Sequence, residues 1–81
     1  MKFEALVEVR LRPGISDPQG ATIERALPAL GFEGVSEVRV GKAIRFALEA
    51  PDEAAARAMS EAVTDRLLAN PVIEEAEVRV L

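Results

Sequence analysis

Two adjacent carboxylate pairs, Asp52-Glu53 and Glu74-Glu75, are the residues of this chain whose types and spacing come nearest to chemistry. Paired carboxylates serve as general acid and general base when both reach one substrate. Glu74 and Glu75 precede an alternating stretch, and neighbours on a strand point to opposite faces, so they do not share a substrate. Asp52 and Glu53 stand where a helix pattern begins, and capping accounts for them. Ser16, Thr22, Ser36, Ser60 and Thr64 supply hydroxyls, but the chain has no histidine to activate a nucleophile. Neither Lys2 nor Lys42 sits in an apolar context that depresses an amine pKa, and no aspartate-rich loop has calcium-binding spacing. Cysteine is absent, which removes disulfides and thiolate metal sites. The inventory points to a binding or assembly module without a catalytic site, cofactor site or metal site of its own.

Three connections carry more information than the acids. In Arg12-Pro13-Gly14-Ile15-Ser16-Asp17-Pro18-Gln19-Gly20, Asp17 is placed to cap a helix by accepting from the amide of Gln19 or Gly20. Pro18 fits the first helical position, where a missing N–H costs nothing, and Gly20 lets another backbone come close. A bare helix N-terminus binds phosphate or carboxylate, but the Asp17 carboxylate already occupies those donors. What remains is a rigid capped turn or a preformed contact surface. Arg39, Gly41 and Lys42 form the second cluster, either solvated charges around a turn or a basic patch for an acidic partner or phosphate. Asn70-Pro71 is the third; Asn70 satisfies the last carbonyls of a helix and Pro71 stops it.

The elements that position these connections follow from periodicity. Phe3, Ala5, Val7, Val9 and Leu11 alternate with polar residues over 2–12, a strand with one buried face. Ile23, Ala26, Leu27 and Leu30 form the apolar stripe of a first helix, with Gly31 at its C-terminal cap. Pro28 removes a helical hydrogen bond and predicts a kink or an early loosening of the last turn. Val38 and Val40 predict a second strand, and a hairpin at Gly41-Lys42 leads into a third marked by Ile44, Phe46 and Leu48. A second helix opens at Pro51-Asp52-Glu53 with the stripe Ala55, Met59, Ala62, Val63 and Leu67. Ala76, Val78 and Val80 mark the last strand. The order β-α-β-β-α-β predicts an α+β, ferredoxin-like single domain over 1–81: a four-stranded antiparallel sheet with two helices on one face. The other face is left open, and the exposed strand edges favour a homodimer.

Composition narrows the partners. At 81 residues the core is thin, and about 60–65% of the unfolded surface is buried on folding. The net charge of −4 argues against nucleic acid, which needs a cationic surface. No apolar run reaches bilayer length, and the N-terminus lacks a signal-peptide pattern, so the expectation is a cytoplasmic protein without a membrane partner.

Several stretches in order resemble one family. Arg12-Pro13-Gly14, Asp17-Pro18-Gln19-Gly20, Leu30-Gly31-Phe32, Val38-Arg39-Val40-Gly41-Lys42 and Leu67 to Glu74 are similar to the PurS subunits of phosphoribosylformylglycinamidine (FGAM) synthase. The resemblance covers nearly the whole chain. It departs where the family often carries Cys, near Glu61, and an aromatic, near Ala76. It implies a small non-catalytic subunit of an ATP- and glutamine-dependent carbon–nitrogen ligase of purine biosynthesis. Such a dimer bridges a glutaminase subunit and a large synthetase subunit and assists ammonia transfer, with ATP and magnesium held by the large partner. Arg12, Pro13, Gly14, Asp17, Pro18, Gln19, Gly20, Arg39, Gly41, Lys42 and Asn70 are the expected partner-binding residues. A regulatory domain of the ACT type, which binds amino acids at a dimer interface, is the alternative of the same element order.

Overall fold

A computed structural model describes residues 1–81. Its elements are β1 (Lys2–Leu11), α1 (Pro18–Ala26), β2 (Gly41–Glu49), α2 (Glu53–Val63) and β3 (Glu74–Val80). A 3₁₀ turn over Pro28–Leu30 follows α1, and a π-type turn over Thr64–Leu68 follows α2. The α+β class holds, with two helices and one antiparallel sheet, but the sheet has three strands in the order β2-β1-β3.

The central strand sets the register. β1 pairs with β2 from Lys2↔Glu49 to Arg10↔Gly41, and with β3 from Ala5↔Val80 to Leu11↔Glu74. Paired residues share a face, so Ala5, Val7 and Val9 line up with Phe46, Ile44 and Lys42 on one side and Val80, Val78 and Ala76 on the other. Ala5, Val7 and Val9 are buried, as their alternation requires.

The fourth strand is absent, which corrects the expectation for Val38 and Val40. Glu37 has φ 57, in the left-handed region, and interrupts the extended run. The Val38 amide then donates to Glu24 Oε1 (3.0 Å) and the Val40 amide to Asp17 Oδ2 (2.7 Å), so side chains, not a neighbouring strand, satisfy this backbone. Gly41-Lys42 is accordingly no hairpin turn; both residues open β2.

Both helices depart from their expected stripes. α2 lies over β1 and β3 through Ala56, Ser60 and the following Thr64, all buried, while Met59 is half-exposed and Leu67 is 80% exposed. Small side chains let the helix axis approach the sheet. The two hydroxyls cost nothing there, because Ser60 donates to the Ala56 carbonyl and Thr64 to the Ser60 carbonyl, each at 2.8 Å. In α1 only Gly20 is buried; Ile23 and Leu30 of its expected stripe are exposed. Pro28 acts as its sequence predicts: the α-helix ends at Ala26, and Gly31 caps the 3₁₀ turn in the left-handed conformation.

The molecule is long. Its radius of gyration is 16.4 Å, against about 12 Å for a compact chain of this length. Its extents are 52 × 26 × 15 Å, while a ten-residue strand spans only about 33 Å. α1 packs mainly against the turn that follows it, so α1 and that turn form an arm beyond the sheet.

Candidate functional site

The register places Leu11, Gly41 and Glu74 at one end of the sheet, and all three singled-out connections meet there. Arg12 joins the first to the third. Its backbone amide donates to the Ile73 carbonyl at 2.9 Å, and its guanidinium donates through Nε and Nη2 to the Pro71 carbonyl at 3.2 and 2.9 Å. Pro13 and Gly14 then form the centre of a type II turn, with Gly14 at φ 86 and the Ile15 amide donating to the Arg12 carbonyl.

Arg39 joins the second connection to the first. Its Nη2 donates to the carbonyls of Ile15 (2.9 Å) and Arg12 (3.3 Å). Asp17 joins them again: Oδ1 accepts from the Gly20 amide at 2.9 Å, the expected cap, and Oδ2 accepts from the Val40 amide. The Gly20 amide, the Val40 amide and the nearby Arg39 charge together hold the Asp17 carboxyl below its ordinary value, against a smaller opposing effect of desolvation. Gly20 is where the arm presses on the 38–40 segment; a Cβ there would collide with the Val38 carbonyl. Gly41 is confined too, since a Cβ would stand 2.7 Å from the Val9 carbonyl oxygen.

Asn70 shapes the third connection. Its Oδ1 accepts from the Val72 amide at 3.1 Å, its amide donates to Glu74 Oε1 at 2.7 Å, and its carbonyl accepts from the amides of Ile73 and Glu74. This self-contained turn presents Val72, 79% exposed, beside the Arg12 anchor, and Leu67 of the preceding π-type turn is 80% exposed.

The structure thus gathers every predicted site residue at one end, and gives several of them a different task. Arg39 is a stitch between carbonyls and not a free member of a basic patch, whereas Lys42 has no carboxylate within ion-pair distance. Three of the four paired carboxylates are engaged: Asp52 caps α2 at the Ala55 amide, Glu74 accepts from Asn70, and Glu75 pairs with Arg10 at 3.3 Å, while Glu53 stands in the first turn of α2. One feature the periodicity did not reveal is an ion-pair ladder on the open sheet face. Arg79 bridges Glu8 (2.9 Å) and Glu77 (3.0 Å), and Arg10 bridges Glu75 and Glu77. The hydrogen bond that Arg79 donates to Glu77 and the charges of Glu77 and Glu8 raise the Arg79 pKa. The signal was legible only through the β1–β3 register, which sets Glu8 opposite Glu77 and Leu6 opposite Arg79. No group of acidic residues gathers in a way that could hold a metal ion, and no helix is long and apolar enough to cross a membrane. The arrangement lacks a nucleophile–base pair; what it offers is a rigid surface of backbone turns.

The chain is similar to known proteins over nearly its full length. A family model described as "PurS: Phosphoribosylformylglycinamidine (FGAM) synthase" matches residues 4–81. The PurS subunit of the Synechocystis enzyme is 47% identical over 72 residues, covering 89% of this chain and 72% of that protein. The Methanocaldococcus jannaschii subunit is 40% identical over 78 residues, 96% of this chain and 94% of its own. Among solved structures, the PurS subunit of Thermotoga maritima superposes with a TM-score of 0.90 at 37% identity, covering 100% of this chain and 93% of that one. A chain in the T. maritima PurLQS structure also superposes at 0.90 and 37% identity, covering 100% and 99%.

Proposed function

The chain belongs to the PurS family, and from that premise we propose that it is the small subunit of FGAM synthase in purine biosynthesis. The observation that carries this is its full-length superposition on a chain of the T. maritima PurLQS complex. The family match displaces the alternative of an amino-acid-binding regulatory domain.

In this role the chain associates with itself, a glutaminase subunit and a large synthetase subunit, and it supplies assembly, not chemistry. Glutamine is hydrolysed on the glutaminase, and the ammonia released is joined to the formylglycinamide ribonucleotide on the large subunit, which also holds ATP and magnesium. No three acidic residues gather in a way that would hold magnesium. Arg10 and Arg79 engage those on the open face, and Asp17 and Asp52 are engaged by helix-start amides. The finer elements of the reading concern the stitched end. Arg12, Asp17 and Arg39 hold three turns in one shape before any partner arrives, so little ordering is left to oppose binding. Pro13, Gly14, Pro18, Gln19, Lys42 and Asn70 are exposed on that surface and form its contact residues. The cellular setting that fits this pathway is the cytoplasm.

Reconstitution tests the reading. The large and glutaminase subunits are combined with and without this chain, and complex mass and glutamine-dependent amidine formation are recorded. A three-component complex whose activity rises with added chain to a fixed ratio is the expected result. Full activity without the chain, with both partners folded, contradicts it.

A further inference from the structure

β3 is an edge strand with an open outer backbone. In its pairing with β1, the Arg12 amide donates to the Ile73 carbonyl and the Leu81 amide to the Glu4 carbonyl, so the odd-numbered residues of β3 bond β1. Glu74, Ala76, Val78 and Val80 therefore turn their amides and carbonyls outward. Two of these groups are engaged. The Glu74 amide donates to the Asn70 carbonyl at 2.7 Å, and the Val78 carbonyl accepts from Arg57 Nη1 of α2 at 3.2 Å. The Ala76, Val78 and Val80 amides have no partner in the chain.

A groove of about 270 Å³ runs beside this edge, lined in part by Glu61, Thr64, Asp65, Ala76 and Val78. Its outer wall is the end of α2 and the π-type turn, which closes with the Ala69 amide on the Thr64 carbonyl at 3.0 Å. Turns of that kind widen a helix and are frequent at functional sites. Glu61 and Asp65 on this wall are exposed and have no basic side chain within ion-pair distance. Glu8, Glu75 and Glu77 on the other sheet face are all paired with arginine. Free amides and unneutralised acids thus lie along the same groove.

We propose that the outer edge of β3 receives an extended segment of a different protein, one that carries lysine or arginine on the side facing α2. Backbone bonds to Ala76, Val78 and Val80 supply the affinity, and Glu61 and Asp65 select the charge. Charge commits the edge to a different chain. β3 itself carries three glutamates and one arginine, so a second β3 adds negative charge to negative charge. The β2 edge of a second copy would pair head to tail and leave open ends. Arg57 on the Val78 carbonyl meanwhile guards the centre of the edge against unspecific pairing. The inference deepens the assembly role and rests on it, yet its test needs no synthase subunit, so its failure and the failure of that role are told apart.

The test is amide hydrogen exchange on the whole chain, read residue by residue by NMR. In the chain alone, the Ala76, Val78 and Val80 amides should exchange at least about tenfold faster than those of Glu75, Glu77 and Arg79, which bond β1. A capped peptide alternating valine with lysine should slow the three outward amides about tenfold, and its valine–glutamate counterpart should leave them unchanged. Glu61→Lys combined with Asp65→Lys should abolish the response to the lysine peptide; both positions are exposed, so the fold is retained. Slow exchange of the outward amides in the chain alone would overturn the proposal, because a second copy would then hold the edge. Equal slowing by both peptides, none by the lysine peptide, or a response that survives the double substitution would overturn it too.

Discussion

The two helices of this chain begin alike and end in opposite situations. Each is capped by an aspartate whose carboxylate accepts from the amide three residues on, Gly20 for α1 and Ala55 for α2. α2 then buries Ala56, Ser60 and, past its end, Thr64 against β1 and β3, whereas α1 buries nothing but Gly20. Capping fixes where a helix starts, a local matter of unpaired amides. Whether the helix persists depends on an apolar surface to receive it. The chain provides that surface for α2 and not for α1.

Substitutions can break or sharpen the contrast. The largest effect is expected at the hinge of the arm. Gly20→Ala drives a methyl into the Val38 carbonyl, and because backbone on both sides must shift, destabilisation of about 3 kcal/mol is expected. Thermal unfolding should shift to lower temperature; an unchanged melting temperature would show that the arm contact does not matter. Next comes the α2 seat. Ser60 is fully buried, and Ser60→Leu overpacks the helix–sheet contact by about 2 kcal/mol, read as a lower denaturation midpoint. Ser60→Ala should be close to neutral, since the hydroxyl it removes bonds only within its own helix.

A smaller effect belongs to Asp17, and it carries a pH signature. The folded-state pKa lies below the unfolded value, so the unfolded chain binds the proton more readily. The stabilisation is therefore complete above the ordinary carboxylate range and is lost as pH falls through the lowered folded value. Asp17→Asn should flatten this part of the stability–pH curve and lower the melting temperature at neutral pH by less than Gly20→Ala does. A curve that keeps its acid limb in the variant would assign the effect to other carboxylates. The least is expected from Arg79→Ala on the open face. Its ion pairs with Glu8 and Glu77 are half-exposed, and pairs of that kind contribute little and are screened by salt. Stability within error of the parent in high salt is the expected reading.

The sequence disclosed what is local and missed what depends on distant contacts. The alternation of Phe3 to Leu11, the caps Asp17 and Asp52, and the break at Pro28 each act within a few residues, and each appears where its chemistry places it. The strand expected at Val38–Val40 failed because β-branched residues suit any extended backbone. What decided the matter was the positive φ at Glu37 and the carboxylates of Glu24 and Asp17. The α2 face was misread for a different reason: hydropathy favours Met59 and Leu67, but close approach to the sheet favours Ser60 and Thr64, whose hydroxyls find partners one turn back. At the candidate site, the cap and the turns were legible, while the reach of Arg12 to Pro71 and of Arg39 to Ile15 required the fold to bring them together.

The chain is a PurS-family subunit, and the proposed role gives it assembly and not chemistry. Amidine formation by the large and glutaminase subunits, measured with glutamine and separately with ammonium as nitrogen source, tests it most directly. Omitting this chain should abolish the glutamine-dependent reaction and leave the ammonium-dependent one largely intact. Loss of both to the same extent would place this chain in the chemical step and contradict the account.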